Sequence, residues 1–331
     1  MEKVALKRSR ETVDIVRRMG VLTADRVHLA NHPCNPVAIF NPTLYYEEGN
    51  LVIYARIILG YFTYASAIAE LSIPLRDVHN ISKGHYTGEI VVMPDNKYDI
   101  WGTEDPRVYT IGGRRLMTYS GRTINYFDAS IRIERTLPIT AVYERGEWRK
   151  ICVFRMPNMV RDKDAFLMDI GGLKLFHRIH TMDEKFYCVV SDVPYEILEG
   201  GEFTEMIVPE YSIILEGSKF EDKIGWGPPP IKVRNEYLFL LHGVESETKW
   251  YKVFAILMNE ELEVTAVTPC YIMEPREEYE VYGDRPFTVF PCGMVKTGDR
   301  LLILYGAADC TMGVGEIDLD DLLSILECNR L

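Results

Sequence analysis

The sequence predicts an all-β chain folded as a five-bladed β-propeller, with an N-terminal helical extension and a short C-terminal helix. Three observations predict it: five hairpin-like segments recur, their spacing is even, and only two stretches carry a helical pattern. A β-sandwich with an added domain is the alternative that the same hairpins allow.

The five segments share one shape: a polar or Pro-marked start, a turn, then an apolar run closing on a polar residue. They are "NPTLYYEEGNLVIYAR" from Asn41, "DPRVYTIGGRRLMTYSGR" from Asp105, "DAFLMDIGGLKLFHR" from Asp164, "PPIKVRNEYLFLLHG" from Pro229 and "FPCGMVKTGDRLLILYG" from Phe290. Each reads as a strand, a turn at Gly, Asn or Asp, and a second strand. A repeat of roughly sixty residues suits a four-stranded blade with long loops. The helical stretches lie near residues 8–20 and at the end, in "IDLDDLLSILECNRL". There Asp318, Asp320 and Asp321 suit the positive end of a helix dipole. The chain thus divides into an N-terminal extension over 1–34 and a propeller over 35–331.

Composition narrows the function. The 331 residues are 47% hydrophobic and 11% aromatic, enough for a sizeable core. Lys and Arg number 37 against 49 Asp and Glu, a formal charge of -12, which argues against a general nucleic-acid binder. No stretch approaches the roughly twenty apolar residues that cross a bilayer, and the charged N-terminus lacks a secretion pattern. Seven scattered cysteines without a C-x-x-C pair speak against a disulfide framework or structural zinc. The expectation is a cytoplasmic protein with small-molecule partners and neither nucleic acid nor membrane. The N-terminal extension leaves room for a homo-oligomer.

In a propeller the innermost strand of each blade lines the axis, so residues at its start ring a funnel mouth. Asn41, Glu104 with Asp105, Lys163 with Asp164, Pro229 and Phe290 occupy that place in the five segments. Pro106 biases Asp105 toward an extended backbone, which turns Glu104 and Asp105 to opposite sides, one to the funnel and one to the rim. Taken singly, each candidate has an ordinary reading. Asp105 suits a turn, and Arg161 a loop charge paired with Asp162 or Asp164. Lys223 suits a surface ion pair, His242 a satisfied core histidine and Asp309 a turn. Other templates fail: prolines deny "GWGPPP" a following helix, "HRIH" lacks a third metal ligand, and no G-x-S-x-G is present. The shared placement of isolated carboxylates and cations is the signal.

The pieces "FNPTLYY", "GTEDPRVY", "RDKDAFLMDIGGLKLFHR", "DKIGWGPPPIK", "LLHGV", "EEYEVYGDRPFTVFPCG" and "LYGAAD" follow one another across most of the chain. In that order they resemble glycoside hydrolase family 130, the inverting β-mannoside phosphorylases and related β-mannosidases. The resemblance implies a five-bladed propeller. It implies Asp105 as general acid, its proton passing through a hydroxyl of the bound mannose. Arg161, Arg178, Lys223 and His242 match the phosphate-binding cluster. Asn41, Arg56, Tyr251 and Asp309 match the mannosyl subsite, and Glu104 is expected to contact sugar. No metal and no cofactor are implied; inorganic phosphate is the co-substrate.

The cations discriminate between chemistries. An inverting hydrolase needs a second carboxylate roughly 6.5–9.5 Å from the acid to activate water. Phosphate arrives already nucleophilic and needs cations to gather and orient it. Two arginines, a lysine and a histidine in an acidic chain therefore favour a phosphorylase releasing α-mannose 1-phosphate from β-1,2- or β-1,4-mannosides. The alternatives are an inverting β-mannosidase, a β-mannosyltransferase and a non-catalytic sugar-binding propeller. The chain departs from the family at "FLMD" and in "IHTMDEKFYCVVSDVPYEIL", where acceptor recognition is expected to differ.

Overall fold

A computed structural model describes residues 2–60, 65–125, 127–199 and 201–331. Its strands form five sheets arranged as the blades of a propeller. Blade 1 runs from its inner strand Ala38–Glu47 through Asn50–Ile58 and Ser66–Pro74 to Tyr86–Val92. Blade 2 follows with Thr103–Ile111, Arg114–Arg122, Thr136–Glu144 and Glu147–Arg155, and blade 3 with Arg161–Asp169, Leu173–His180, Phe186–Asp192 and Ser212–Glu216. Blade 4 comprises Glu221–Trp226, Glu236–Glu245, Tyr251–Met258 and Val264–Val267. Blade 5 takes Val289–Thr297, Arg300–Ala307 and Thr311–Asp318 from late in the chain and Arg17–Leu22 from its beginning.

The second strands are apolar without alternation because both faces of each blade are buried. In blade 5, Leu301 and Ile303 pack toward blade 4, while Leu302 and Leu304 pack toward blade 1. Leu116 and Met117 divide in the same way between the seams with blades 3 and 1. The hydrophobic core is thus a ring of seams, and it leaves the axis free for polar side chains. The helix Leu319–Glu327 lays Leu319, Leu322 and Leu326 into the seam of blades 4 and 5, and the Asp318 carboxylate caps it at the nitrogens of Asp320 and Asp321.

The structure departs from expectation at the N-terminus and in blade 4. The N-terminal helix is the short Glu2–Leu6; from Ser9 to Ile15 the chain runs extended, with Val13 N donating to Tyr271 O (2.9 Å) and Ile15 N to Ile272 O (3.1 Å). The β-branched run of Thr12, Val13, Ile15 and Val16 suits that pairing better than a helix. Residues 1–34, set apart as an extension, add Arg17–Leu22 to blade 5 and Val27–Leu29 to blade 1. In blade 4 the inner strand is Glu221–Trp226, not a strand from Pro229. Pro228 to Pro230 cannot donate to a ladder, so pairing stops and resumes only at Ile231–Val233.

Candidate active site

Every inner strand slips register near its start, between Phe40 and Thr43, Glu104 and Arg107, Lys163 and Phe166, Glu221 and Lys223, and Pro291 and Gly293. In the first three blades the residue at the slip has a left-handed backbone: Asn41 (φ 47°), Asp105 (φ 52°) and Asp164 (φ 53°). Asn and Asp enter that region more readily than other side-chain-bearing residues, and a bulge re-aims the side chain it carries. The extended backbone expected of Asp105 from Pro106 is therefore overridden by the bulge.

Asp105 faces the axial cavity and Glu104 lies in the wall behind it, yet the two carboxylates share their cations. Arg56 bridges both carboxylates, Nη1 to Asp105 Oδ1 (3.1 Å) and Nη2 to Glu104 Oε1 (3.0 Å). Lys163 does likewise, 2.6 Å from Glu104 Oε2 and 3.6 Å from Asp105 Oδ2. Arg122 Nε adds a donor to Glu104 Oε1 (2.6 Å), and Asn41 donates to Asp105 Oδ1 (2.7 Å). Burial pushes both carboxyls up, but the surrounding cations outweigh it. Arg122, Arg56 and Lys163 hold Glu104 well below the usual range, and Arg56 and Lys163 lower Asp105 despite the opposing charge of Glu104. Both are ionised at neutral pH.

Blades 3 and 4 supply the cations. Arg178 Nε donates to Asp164 Oδ2 (2.6 Å), and His242 Nε2 lies 3.7 Å from the same oxygen. A Cβ at Gly225 would collide with Asp164 and His242, so glycine is what lets blade 4 close on them. Arg161, exposed at the mouth, and Lys223, half-buried, form no ion pair among the described residues. Burial first, then Arg178 and Arg285, lowers Lys223 well below the usual lysine value. Desolvation of its base at the cavity wall and the charges of Arg122, Arg135 and Arg178 lower Arg161 too, although its side chain reaches the mouth. His242 is not a cation: burial, opposed by Asp164 and reinforced by Arg178, Lys223 and Arg107, pulls it down to about 3. Its two ring nitrogens have no hydrogen-bond partner among the described residues.

These groups share one cavity of about 490 Å³. It is lined by Asp105, by Arg161, Arg178, Lys223 and His242, and by Asn41, Arg56, Tyr251 and Asp309. Glu104 is the exception. It is fully buried outside that lining with both oxygens held by cations, so it braces the wall instead of meeting a ligand. Pro229 is likewise absent from the lining, and Lys223 takes the blade 4 position. The sequence placed Lys163 and Asp164 at the funnel mouth without giving them a role, and it did not mark Arg122 or Arg285. Arg285 sits 3.5 Å from Asp309 and hydrogen-bonds the Tyr251 hydroxyl. Burial raises Asp309 against the opposing charges of Arg285 and Arg56. Lys163 and Asp164 were visible as neighbours in "RDKDA"; Arg285 gave no signal beyond its place in "GDRPF". The chemical content is a carboxylate wall facing an anion-attracting wall, with Phe40, Phe186 and Phe290 as apolar surface between.

Comparison with known proteins agrees with this architecture. The chain is 24% identical over 291 residues to a 1,2-beta-oligomannan phosphorylase of Thermoanaerobacter sp., covering 86% of this chain and 91% of the relative. It is 28% identical to a beta-1,2-mannobiose phosphorylase of the same organism, over 69% of this chain and 70% of the relative. The structure of a beta-1,2-mannobiose phosphorylase from Listeria innocua in complex with beta-1,2-mannobiose superposes with a TM-score of 0.73. That match covers 95% of this chain and 99% of the other at 19% identity, which establishes the shared fold. A family model described as beta-1,4-mannooligosaccharide phosphorylase matches residues 6–328. By that match across nearly its whole length, the chain belongs to glycoside hydrolase family 130.

Proposed function

We propose that the protein is a β-mannoside phosphorylase, cleaving β-linked manno-oligosaccharides with inorganic phosphate to give α-mannose 1-phosphate and a shortened sugar. The observation that carries this reading is a pair of cations, Arg161 and Lys223, aimed into the Asp105 cavity with no carboxylate partner among the described residues. Like charges are not gathered in a half-buried wall for stability; an incoming anion is what offsets their repulsion. Phosphate held by Arg161, Arg178 and Lys223, with His242 as a neutral hydrogen-bonding group, attacks the anomeric carbon. The C1–O bond to the departing sugar breaks as the bond to phosphate oxygen forms. The departing oxygen takes a proton that originates at Asp105.

Asp105 is ionised in the free protein, so it gains its proton in the loaded site. A phosphate anion places negative charge beside the carboxyl and raises its proton affinity. Asn41, Arg56, Tyr251 and Asp309 surround the mannosyl ring in this reading. The names of the relatives support the substrate class.

One observation favours a hydrolytic reading: Asp309 is a cavity carboxyl whose proton affinity is raised, as suits a base that activates water. Incubation with β-1,2- and β-1,4-mannobiose, with and without phosphate, separates the two. Phosphorolysis yields α-mannose 1-phosphate only when phosphate is present. Free mannose appearing at equal rate in both mixtures overturns it in favour of Asp309 and water.

A further inference from the structure

We propose that Arg8, between the N-terminal helix and the extended segment that follows it, is a positioning residue that sets Lys223 and His242 for phosphate by locking the carboxylate of Glu221. The inference rests on the phosphorylase reading of the cavity. In a regular strand residues two apart share a face. Here the register slips between Glu221, opposite Glu245, and Lys223, opposite Val244. That slip sends Lys223 into the cavity and leaves Glu221 behind the wall, its carboxylate fully buried. A buried carboxylate demands donors. Arg8 supplies two, Nη1 to Oε2 (2.8 Å) and Nη2 to Oε1 (2.9 Å). The Tyr271 hydroxyl donates to Oε1 (2.6 Å) and the Ser218 nitrogen to Oε2 (2.9 Å). The Arg8 guanidinium itself lies over the Phe254 ring, 3.5 Å from its centroid, and is nearly inaccessible.

The same carboxylate touches the second phosphate-facing strand. A Cβ at Gly243 would collide with Glu221 Oε1 and crowd the Tyr271 hydroxyl, so the carboxylate is seated on the backbone beside His242. One anchored group thus fixes the bulge before Lys223 and the strand carrying His242. Lys223 needs this more than its neighbours: it forms no ion pair among the described residues, and repulsion from Arg178 and Arg285 outweighs the attraction of Asp164. The anchor comes from 213 residues away in sequence, on a segment that lines no part of the cavity.

The test is steady-state phosphorolysis of a β-mannobiose by the full-length protein and its Arg8→Met, Arg8→Lys and Tyr271→Phe variants, with phosphate binding followed by calorimetry. For Arg8→Met, the KM for phosphate and the calorimetric Kd rise about tenfold while the KM for the mannoside stays within about twofold. Arg8→Lys keeps the charge with one contact and recovers part of the loss. Tyr271→Phe, which removes a single donor and leaves the ion pair, gives a smaller rise in the same constant and carries the test if Arg8→Met does not fold. A purely structural role moves the thermal midpoint and both KM values together, and that result overturns the proposal. So does an unchanged phosphate KM in the folded variants. Wild-type protein that takes up no phosphate overturns the reading of the cavity instead, and the positioning role with it.

Discussion

The side-chain amide of Asn41 donates to the Asp105 carboxylate over 2.7 Å, and both residues hold left-handed backbones at the bulges of adjacent blades. The carboxylate is thereby fixed by the ring's geometry as well as by charge, since a change in how blades 1 and 2 meet would move it. This placement underlies the first prediction.

Asp105→Asn preserves shape and the contact with Asn41 but removes the transferable proton. The expected loss in kcat on mannobiose is roughly 10²–10⁴, with phosphate affinity retained. An aryl β-mannoside, whose leaving group needs little protonation, suffers a smaller loss. Comparing kcat on the two substrates checks the role, and equal losses on both count against it.

Lys223→Met trades function for stability. Replacing a half-buried lysine that forms no ion pair among the described residues by an apolar side chain of similar length raises stability by about 1 kcal/mol, while the variant loses protection by phosphate. Thermal melts with and without phosphate read both effects. A variant that melts lower and is still protected contradicts the assignment.

Anion binding is coupled to proton uptake. In the free protein Lys223 releases its proton at lower pH than an ordinary lysine; a bound anion raises that value again. Between the two values binding takes up a proton, so affinity weakens as pH rises through that window. Sulfate, which does not titrate near neutrality, isolates the effect. Calorimetry in buffers of different ionisation enthalpy shows uptake for wild type, and less for Lys223→Met.

Acid destabilises the site through Asp164. Burial opposes ionisation there, but Arg178, His242 and Arg107 hold its carboxyl below the usual range. The folded state binds this proton more weakly than the unfolded chain. Its stabilising contribution is therefore complete above the unfolded value of about 3.9 and fades as pH falls below it. Asp164→Asn leaves Arg178 buried without its counter-charge and costs about 3 kcal/mol at neutral pH. Urea denaturation at pH 7 and pH 3 measures both, and the gap between wild type and variant narrows at the lower pH.

Much of this was legible in the sequence because it is written locally. Hairpins around Gly49, Gly112 and Gly298 carry their turn signals within a few residues, and the apolar runs of the second strands announce burial on two faces. The cavity residues were readable through motifs that hold each group at a strand start. What stayed hidden depends on partners distant in sequence. Lys163 stood at the funnel mouth, but its bracing role shows only once Glu104 lies 2.6 Å away. Glu104 looked like a sugar ligand until three cations enclosed it. Blade 4 misled because its prolines interrupt a strand that resumes later. The N-terminal segment reads as helical on its own and becomes extended only when blade edges offer it pairing.

Arg17–Leu22 is hydrogen-bonded to Thr311–Asp318, so the ring is zipped by segments that leave the ribosome almost three hundred residues apart. Until the later segment emerges, the earlier one has nothing to grip. Asn41, one of the first pocket groups made, must wait for Asp309, one of the last. A nascent chain therefore holds no complete pocket until Asp309 has emerged.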